Sequence, residues 1–424
     1  MTFTIETGWG CNLLSARPEH SSVSGCIILN FETELSMHDY NYFVPVRLVF
    51  GKGKINELPK YMAKYGRRVL LAYGGGSIKK IGLYDKITEL LQGYEVFELS
   101  GIEPNPKITS VRKGVELVKK EKIDFIVAVG GGSVIDCCKN IAAGAYYDGD
   151  PWDLVIDNSR VGKHLPFFTV LTLSATGSEY DGGGVISNPQ TNEKLALLGE
   201  IFPEVSIMDP QYTYSVSKWQ TAAGSSDIMS HIFESYLVKD GNIFTDGVCE
   251  AMLKTVITCT PKAIENPEDY DARAQLMMVS SFGCCGLPAL GRTDSPWVCH
   301  AIEHELSAYY DITHGAGLAI VTPAWMKYSL NDETAPRFAQ YGVNVFGLDP
   351  DADPMSNALE AIRLTSEFFK KIGMPQTLRE AGINSDEHFE AMADHIFAHW
   401  FGNLNTAIRP LDRNDVVAIL KAAM

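Results

Sequence analysis

The chain has 424 residues, more than a single hydrophobic core usually serves, so its length predicts two domains. It carries 36 basic and 52 acidic residues, a net charge of −16, and this acidity argues against nucleic-acid binding because phosphate backbones are repelled. No apolar run approaches the roughly 20 residues that a membrane helix needs, which argues against a membrane protein.

The N-terminal segment and the cysteines both bear on where the protein works. Residues 1–36 show no hydrophobic period, and their apolar piece at 26–29 is too short for a signal peptide. We expect residues 1–36 to be a disordered or upstream-translated extension and the organised chain to begin near Met37. The nine cysteines form no Cys-x-x-Cys motif, which favours reduced thiols in a cytoplasm over a secreted disulfide protein.

Between about residues 40 and 210, short apolar runs alternate with amphipathic stretches. Continuous apolar strands that alternate with helices indicate a parallel sheet covered on both faces, and we assign this α/β domain to residues 37–212. The predicted strands are 69–73, 95–99, 123–129 and 167–172, and the predicted helices are 84–91, 108–120 and 134–145.

After about residue 212 the strand signals fade and helical periods dominate. We therefore predict an all-α C-terminal domain over residues 213–424. Its predicted helices are 221–238, 246–264, 271–287, 296–309, 358–372 and 415–424.

A glycine-rich turn follows the strand predicted at 123–129. The run Gly130-Gly131-Gly132-Ser133 comes directly before a predicted helix. Backbone amides without side chains and a helix N-terminus together suit a pyrophosphate, so Gly131, Gly132 and Ser133 are candidate cofactor contacts. The run does not match the Gly-x-Gly-x-x-Gly fingerprint, and a plain tight turn is the alternative.

A second glycine turn follows the strand predicted at 69–73. A dinucleotide site often places an acidic residue here to hold the ribose hydroxyls, and this chain has none. Serine and lysines accommodate a 2′-phosphate instead, which favours NADP over NAD, although lysines that simply face water are common. The residues of this turn are Gly74, Gly75, Gly76, Ser77, Lys79 and Lys80.

A hydroxyl-rich loop follows the strand predicted at 167–172. Hydroxyls and loop amides at the carboxyl edge of a sheet suit ribose and phosphate contacts, although turns are rich in such residues for local reasons. The candidate contacts in this loop are Thr172, Leu173, Thr176 and Ser178.

Histidines at metal-binding spacing lie in the second half of the chain. Asp227 and His231 are four residues apart and share one face of a predicted helix. His300 and His304 repeat that spacing, and His314 follows in a predicted loop. Imidazoles and a carboxylate suit a divalent transition metal, so we predict one metal site. Spacing alone leaves open whether His300 or His304 binds.

A rival histidine pair lies near the C-terminus. His395 and His399 are also four apart, but Phe397 and Trp400 suggest a packed helix end, and no third ligand candidate follows in the sequence. We assign this pair to structure rather than to metal binding.

Taken together, the motifs resemble the iron-containing (group III) alcohol dehydrogenase family over about residues 37–424. The branch with butanol dehydrogenases and NADPH-dependent aldehyde reductases is the most similar. The motifs that carry the resemblance are Val49-Phe50-Gly51-Lys52-Gly53, Glu103-Pro104-Asn105-Pro106, the Gly130–Asp136 turn, Ala175-Thr176-Gly177-Ser178-Glu179 and the histidines.

The resemblance implies a fold, a ligand set and a reaction. The fold would be a Rossmann-like parallel sheet followed by an all-helical part, as in dehydroquinate synthase. The reaction would transfer hydride between NADP(H), or alternatively NAD(H), and a short-to-medium-chain aldehyde or primary alcohol, in a homodimer. The metal, Fe²⁺ or Zn²⁺, would be held by Asp227, His231, His300 and His314. His304 would be catalytic, beside the nicotinamide. The positions that match cofactor contacts are Asn105, Ser133, Asp136, Thr172, Thr176 and Lys194.

Other functions stay open at this point. A non-redox relative of the dehydroquinate synthase type would need several basic residues near the metal, and residues 227–314 offer only Arg273, Arg292 and a few lysines. A glycerol dehydrogenase-like member would use NAD. An unrelated metal-dependent hydrolase would ignore nicotinamide, and a metal-storage protein would close its site.

Overall fold

The computed structural model describes residues 37–424, so the extension expected at residues 1–36 lies outside the described residues. The predicted parallel sheet is confirmed, with six parallel strands in the order β1-β8-β5-β4-β2-β3 and a separate antiparallel β6-β7 hairpin. The strands are β1 (Arg47–Phe50), β2 (Arg68–Tyr73), β3 (Glu95–Leu99), β4 (Phe125–Gly130), β5 (Phe167–Leu171), β6 (Gly184–Asn188), β7 (Glu193–Leu197) and β8 (Val205–Met208).

Helices flank the sheet and make up most of the described chain after β8. The first six are α1 (Leu58–Met62), α2 (Ser77–Lys80), α3 (Leu83–Leu90), α4 (Ile108–Glu121), α5 (Gly132–Gly144) and α6 (Pro151–Ile156). The others are α7 (Lys218–Tyr236), α8 (Ile243–Glu265), α9 (Tyr270–Cys284), α10 (Val298–Tyr310), α11 (His314–Ser329), α12 (Ala335–Tyr341), α13 (Pro354–Lys371), α14 (Phe389–His399) and α15 (Arg413–Ala422). The described residues after β8 form no further named strand, while the boundary between residues 212 and 213 stays a prediction.

The central strands are apolar throughout because helices cover both faces. On β2, Leu70 and Ala72 pack into the core shared with α4 and α5, while Val69 and Leu71 pack into the opposite core with α1 and α3. Alternate side chains of a strand point to opposite faces, so every position of a strand that is buried on both sides faces a hydrophobic core. This explains why the sequence identified β2 and β4 so clearly.

The sequence missed the edge strand β1, the hairpin strands β6 and β7, and β8, which lies buried between β1 and β5 but has only four residues. β1 has only four residues, and two of them are exposed at the end of the sheet. β6 and β7 are short and form a separate pair, so they lack the long apolar runs of a doubly covered sheet. Thr172 was predicted within a strand, but β5 ends at Leu171 and Thr172 belongs to the loop that follows.

The prediction that His314 lies in a loop was wrong, because His314 is the first residue of α11. Gly315 and Gly317 lower the helix propensity of this turn, which hid the helix start in the sequence. Packing requires at least the first glycine, since a Cβ on Gly315 would lie 1.9 Å from the carbonyl oxygen of Ala223 on α7. The close approach of α11 to α7 fixes where His314 lies.

Two further observations concern the described residues as a whole. Seven of the nine cysteines lie among residues 37–424, and all seven are free thiols. Within the same range, every helix is too short or too polar to cross a bilayer.

Candidate metal and cofactor site

Three helices bring an aspartate and three histidines together. Asp227 and His231 lie one turn apart on α7, His300 is near the start of α10, and His314 begins α11. The Nε2 atoms of His231, His300 and His314 lie 3.5, 3.6 and 3.5 Å from Oδ1 of Asp227. The residues predicted as metal ligands therefore converge on one carboxylate oxygen.

The converging atoms fit a divalent cation. Oδ1 of Asp227 and Nε2 of His300 are buried and have no hydrogen-bond partner, although buried polar atoms are almost always paired. Ligands bound at 2.0–2.2 Å around a tetrahedral ion stand about 3.3–3.6 Å apart, which matches the separations from Asp227. The carboxylate and imidazole donors suit iron, zinc and similar ions.

Carboxylates behind two of the histidines orient their rings. Nδ1 of His300 lies 3.1 Å from Oε1 of Glu234, and Nδ1 of His314 hydrogen-bonds to Oε2 of Glu303. A carboxylate on Nδ1 fixes the tautomer and presents Nε2, which is the arrangement usual behind metal-binding histidines. Nζ of Lys194 lies 3.2 Å from both Glu303 and His314 and joins this group to β7.

The electrostatics of the buried cluster follow from its composition. Burial opposes ionisation of Asp227, but His231 and His314 outweigh it and hold the pKa of Asp227 well below 3.8. Burial lowers the pKa of His231 to about 3. It also disfavours charge on His300, yet the nearby carboxylates of Asp227 and Glu234 prevail and raise the pKa of His300 to about 9. An ionised carboxylate and a neutral His231 are the forms that bind a cation.

His304 lies beside the cluster rather than within it. Of the described histidines, three bring Nε2 within 3.6 Å of Asp227 Oδ1, and His304 is not one of them. Its ring packs edge-on against Trp400 at 5.2 Å and lines the adjacent cavity. Burial holds the pKa of His304 well below 6.5, and its Nδ1 has no partner. His300 therefore lies nearer than His304 to the carboxylate oxygen of Asp227, and the choice of His300 as a ligand stays a prediction.

A cavity of about 300 Å³ separates the histidines from the sheet. We call its two sides the helical wall and the sheet wall. The helical wall contains His231, Cys284, Trp297, His300, His304, His314, Trp400 and Phe401. The sheet wall contains Asn105, Pro106, Ser133, Asp136, Thr176, Ser178, Asp181, Gly183, Gly184, Val185, Lys194, Ala196 and Leu198. Six predicted cofactor positions therefore face the predicted metal ligands.

The glycine turn after β4 leads directly into α5. Gly131 caps this 13-residue helix and Gly132 is its first residue. A Cβ on Gly132 would lie 2.3 Å from Oγ1 of Thr176 in the loop after β5. The two loops are thus packed as closely as glycine permits. The free amides at the start of α5 can receive a phosphate group.

Several predicted cofactor positions are hydrogen-bonded within the protein. Asp136 accepts from Ser178 Oγ at 2.5 Å and from the amide of Val185 at 3.0 Å, while burial raises the pKa of Asp136 to about 6. Asn105 accepts from Lys194 at 3.2 Å. These side chains hold the sheet wall in shape, in addition to lining it.

The earlier glycine turn lies at the same edge of the sheet but outside the cavity lining. Gly74, Gly75, Gly76 and Ser77 follow β2, which pairs with β4. Thr172 and Leu173, after β5, are likewise outside the lining, as are Gly131, Gly132 and Asp227. A Cβ on Gly75 or Gly76 would meet no atom within 4 Å, so this turn borders open space.

Comparison with known proteins agrees with this architecture. A model described as iron-containing alcohol dehydrogenase matches residues 45–210, and a model of the C-terminal part of that family matches residues 221–424. The chain is 50% identical over 389 residues to the NADH-dependent butanol dehydrogenase A of Clostridium acetobutylicum, covering 91% of this chain and 99% of that protein.

The chain belongs to the iron-containing alcohol dehydrogenase family. It is also 37% identical to the NADPH-dependent aldehyde reductase YqhD of Escherichia coli, over 82% of this chain and 90% of that protein. The crystal structure of NADH-dependent butanol dehydrogenase A from Thermotoga maritima matches with a TM-score of 0.87 at 40% identity, covering 92% of this chain and 99% of that one.

As a member of the iron-containing alcohol dehydrogenase family, the protein is an oxidoreductase that interconverts alcohols and aldehydes. The family uses NAD(P)H and iron or another divalent metal. Small-molecule alcohols and aldehydes are accordingly its substrates.

Sequence reasoning missed several residues of the site. Glu234 and Glu303 were not singled out, although each lies three residues after a predicted ligand, His231 or His300, and so returns to the same helix face. Trp297 also went unnoticed, and its backbone has a positive φ of 56° at the start of α10. Helical spacing could have found the glutamates, but nothing in the pattern marks Trp297.

Proposed function

We propose that the protein is an NAD(P)H-dependent alcohol dehydrogenase and aldehyde reductase for short-to-medium-chain aldehydes and primary alcohols. Asp227, His231, His300 and His314 would hold one Fe²⁺ or Zn²⁺. The coenzyme would lie along the glycine turns with its nicotinamide in the cavity. Its contacts would include Gly74, Gly75, Gly76, Ser77, Asn105, Gly131, Gly132, Ser133, Asp136, Thr172, Leu173, Thr176, Ser178 and Lys194.

One observation carries the proposal more than any other. Three imidazole nitrogens stand within 3.6 Å of a single buried carboxylate oxygen, across one cavity from the start of α5. A cation and a dinucleotide bound at these two places would meet in the same space. That is the arrangement needed for hydride transfer to a polarised carbonyl.

Asp227 and the three histidines would hold a metal that acts as a Lewis acid on the carbonyl oxygen, and the glycine turns would hold a coenzyme that supplies the hydride. The protein side chains position the reacting groups and control how much water reaches them. Trp297, Trp400 and Phe401 border the cavity and limit the water that reaches the reacting carbonyl. His304, neutral because burial lowers its pKa, orients the reacting groups and relays the proton that the oxygen takes up in aldehyde reduction.

Coenzyme preference is a finer proposal, and a different observation favours each candidate. NADPH is favoured by Ser77, Lys79 and Lys80 at the turn after β2. NADH is favoured by a carboxylate near the same turn. Nζ of Lys79 lies 5.2 Å from the centre of the Tyr73 ring, and the Tyr73 hydroxyl donates a hydrogen bond to Glu98 at 2.7 Å. An acidic side chain near the turn opposes a second phosphate. We propose NADPH, tested by comparing kcat/KM for NADPH and NADH and by expecting Lys80→Ala to weaken NADPH alone.

Activity is tested by the loss of reduced-coenzyme absorbance with butanal, with NADH and NADPH in parallel, before and after removal of metal by a chelator. We expect oxidation by metal-loaded protein, abolition by the chelator and recovery on adding Fe²⁺ or Zn²⁺. Elemental analysis of protein purified without added metal identifies the ion. Full turnover by metal-free protein would contradict the proposal.

The homodimer and the cytoplasmic location are also proposals. Both come from the sequence, through the family resemblance and the unpaired cysteines respectively. Light scattering after gel filtration tests the dimer, and fractionation of the source cells tests the location.

A further inference from the structure

A second group of potential ligands lies apart from the cavity. Glu193 is the first residue of β7, and His395 and His399 lie one turn apart at the end of α14. A carboxylate oxygen of Glu193 and one ring nitrogen of each histidine all lie within 4.8 Å of one another. The fold therefore brings the third ligand candidate that the sequence around His395 lacked.

A buried glutamate stands behind His395. Oε1 of Glu305, on α10, lies 2.7 Å from Nδ1 of His395, and Nε2 of the same ring lies 3.4 Å from Oε1 of Glu193. Glu305 is 3% exposed, and its Oε2 has no hydrogen-bond partner. With Nδ1–H donated to Glu305, Nε2 is left free to accept a metal ion beside Glu193. This is the carboxylate–histidine pairing found behind zinc-binding imidazoles.

We propose that Glu193, His395 and His399 form a second divalent-cation site, suited to zinc, with Glu305 as the carboxylate that orients His395. Two imidazoles and a carboxylate are donors that zinc accepts, and water would complete a four-coordinate shell. His399 is exposed and Glu193 and His395 are partly exposed, so an ion can enter from solvent. The site shares no ligand with the Asp227 cluster.

The position of this site gives it a structural role. It joins α14 to β7 and α10, which carry the two walls of the cavity. Trp400 and Phe401 follow His399 directly and line the cavity, and Lys194 follows Glu193. A cation here would hold the aromatic part of the helical wall against the hairpin. The bound ion would therefore stabilise the shape of the substrate cavity without taking part in hydride transfer.

The test is zinc stoichiometry and affinity of the full-length protein, measured by titration of metal-stripped samples and by elemental analysis after desalting. His399→Ala and Glu193→Gln should each bind one zinc equivalent fewer than the unaltered protein. His388→Ala, a histidine at the start of α14 that belongs to no ligand group, serves as the control and should lose none. The difference of one equivalent holds whether or not the Asp227 cluster is filled.

A second variant separates metal binding from simple packing. Glu305→Gln keeps the size of the side chain and should weaken zinc at this site about 10- to 100-fold, as expected for the loss of an orienting carboxylate. Zinc should also raise the thermal midpoint of the unaltered protein more than that of His399→Ala. The proposal would be overturned if zinc content and affinity were equal in the unaltered protein, His399→Ala and Glu193→Gln. It would also be overturned if only Asp227 variants lost metal, since the cavity would then hold the one zinc site.

Discussion

The two walls of the cavity are built on different principles. The helical wall relies on side chains, since its histidines and Asp227 behind them offer buried polar atoms that have no partner. The sheet wall relies on backbone and shape, since Gly132 approaches Thr176 closely and Asp136 is hydrogen-bonded to Ser178. The helical side therefore keeps polar atoms that are free to bind a ligand, whereas Asp136 of the sheet wall already forms hydrogen bonds within the protein. We infer that changes in the helical wall affect chemistry, whereas changes in the sheet wall affect coenzyme fit.

The largest effect is expected from His300→Ala. Loss of this imidazole opens the group around Asp227 and leaves the buried Glu234 with the backbone amide of residue 300 but without the ring nitrogen. A bound cation contributes several kcal/mol to charge stabilisation, so we expect kcat to fall by at least about 10³-fold, with loss of tightly bound metal. Elemental analysis and steady-state kinetics measure both.

His388→Ala, outside the cavity lining, is the histidine control and should retain metal and activity. Unchanged metal content in His300→Ala would mean that the helical wall does not hold the ion.

The next effect is expected from Gly132→Ala, at a residue that lies behind the sheet wall and packs against Thr176 of that wall. Its Cβ would lie 2.3 Å from Thr176 Oγ1, so the two loops must separate. Overpacking of this kind costs about 1–3 kcal/mol, and we expect the coenzyme Kd to rise by roughly 10- to 100-fold while the metal content stays normal. Fluorescence titration with NADH and NADPH measures the change.

The same substitution at Gly247 is the matched control, since a Cβ there meets no atom within 4 Å and the residue is exposed on α8. Loss of metal in Gly132→Ala would contradict the inference that the two walls have separate roles.

The sequence predicted the two walls unequally, for physical reasons. Some features can be recognised from neighbouring residues alone. These are the continuous apolar runs of β2 and β4 and the four-residue spacing of Asp227 and His231. The approach of α11 to α7 depends on Gly315, whose effect is visible only when Ala223 lies against it. Likewise Glu193 reaches His395 across about 200 residues. Contacts between distant segments leave no period to detect.

An intermediate effect on both walls is expected from Lys194→Met. Lys194 lies 3.2 Å from Asn105 on the sheet side and 3.2 Å from Glu303 on the helical side. Methionine keeps much of the length but leaves Glu303 buried beside His314 without this cation. We expect about a tenfold loss in metal affinity, of the size typical for groups behind metal ligands, together with a raised coenzyme KM. A change in only one of these two quantities would assign Lys194 to a single wall.

The smallest effect is expected from Glu179, which follows Ser178 of the sheet wall and accepts from Ser281 of α9 at 2.5 Å. Burial raises the pKa of Glu179 to about 7 from an ordinary value of 4.5, so the folded protein holds a proton that the unfolded chain releases. Stability from this group is therefore lost as pH rises from about 4.5 to 7, by roughly 1–3 kcal/mol. Glu179→Gln keeps the acceptor for Ser281 and should flatten that loss, measured by urea unfolding at pH 5 and pH 8. Glu268→Gln, at an exposed position, should leave the pH dependence unchanged. An equally steep loss of unfolding free energy in Glu179→Gln would mean that Glu179 stays ionised in the folded protein.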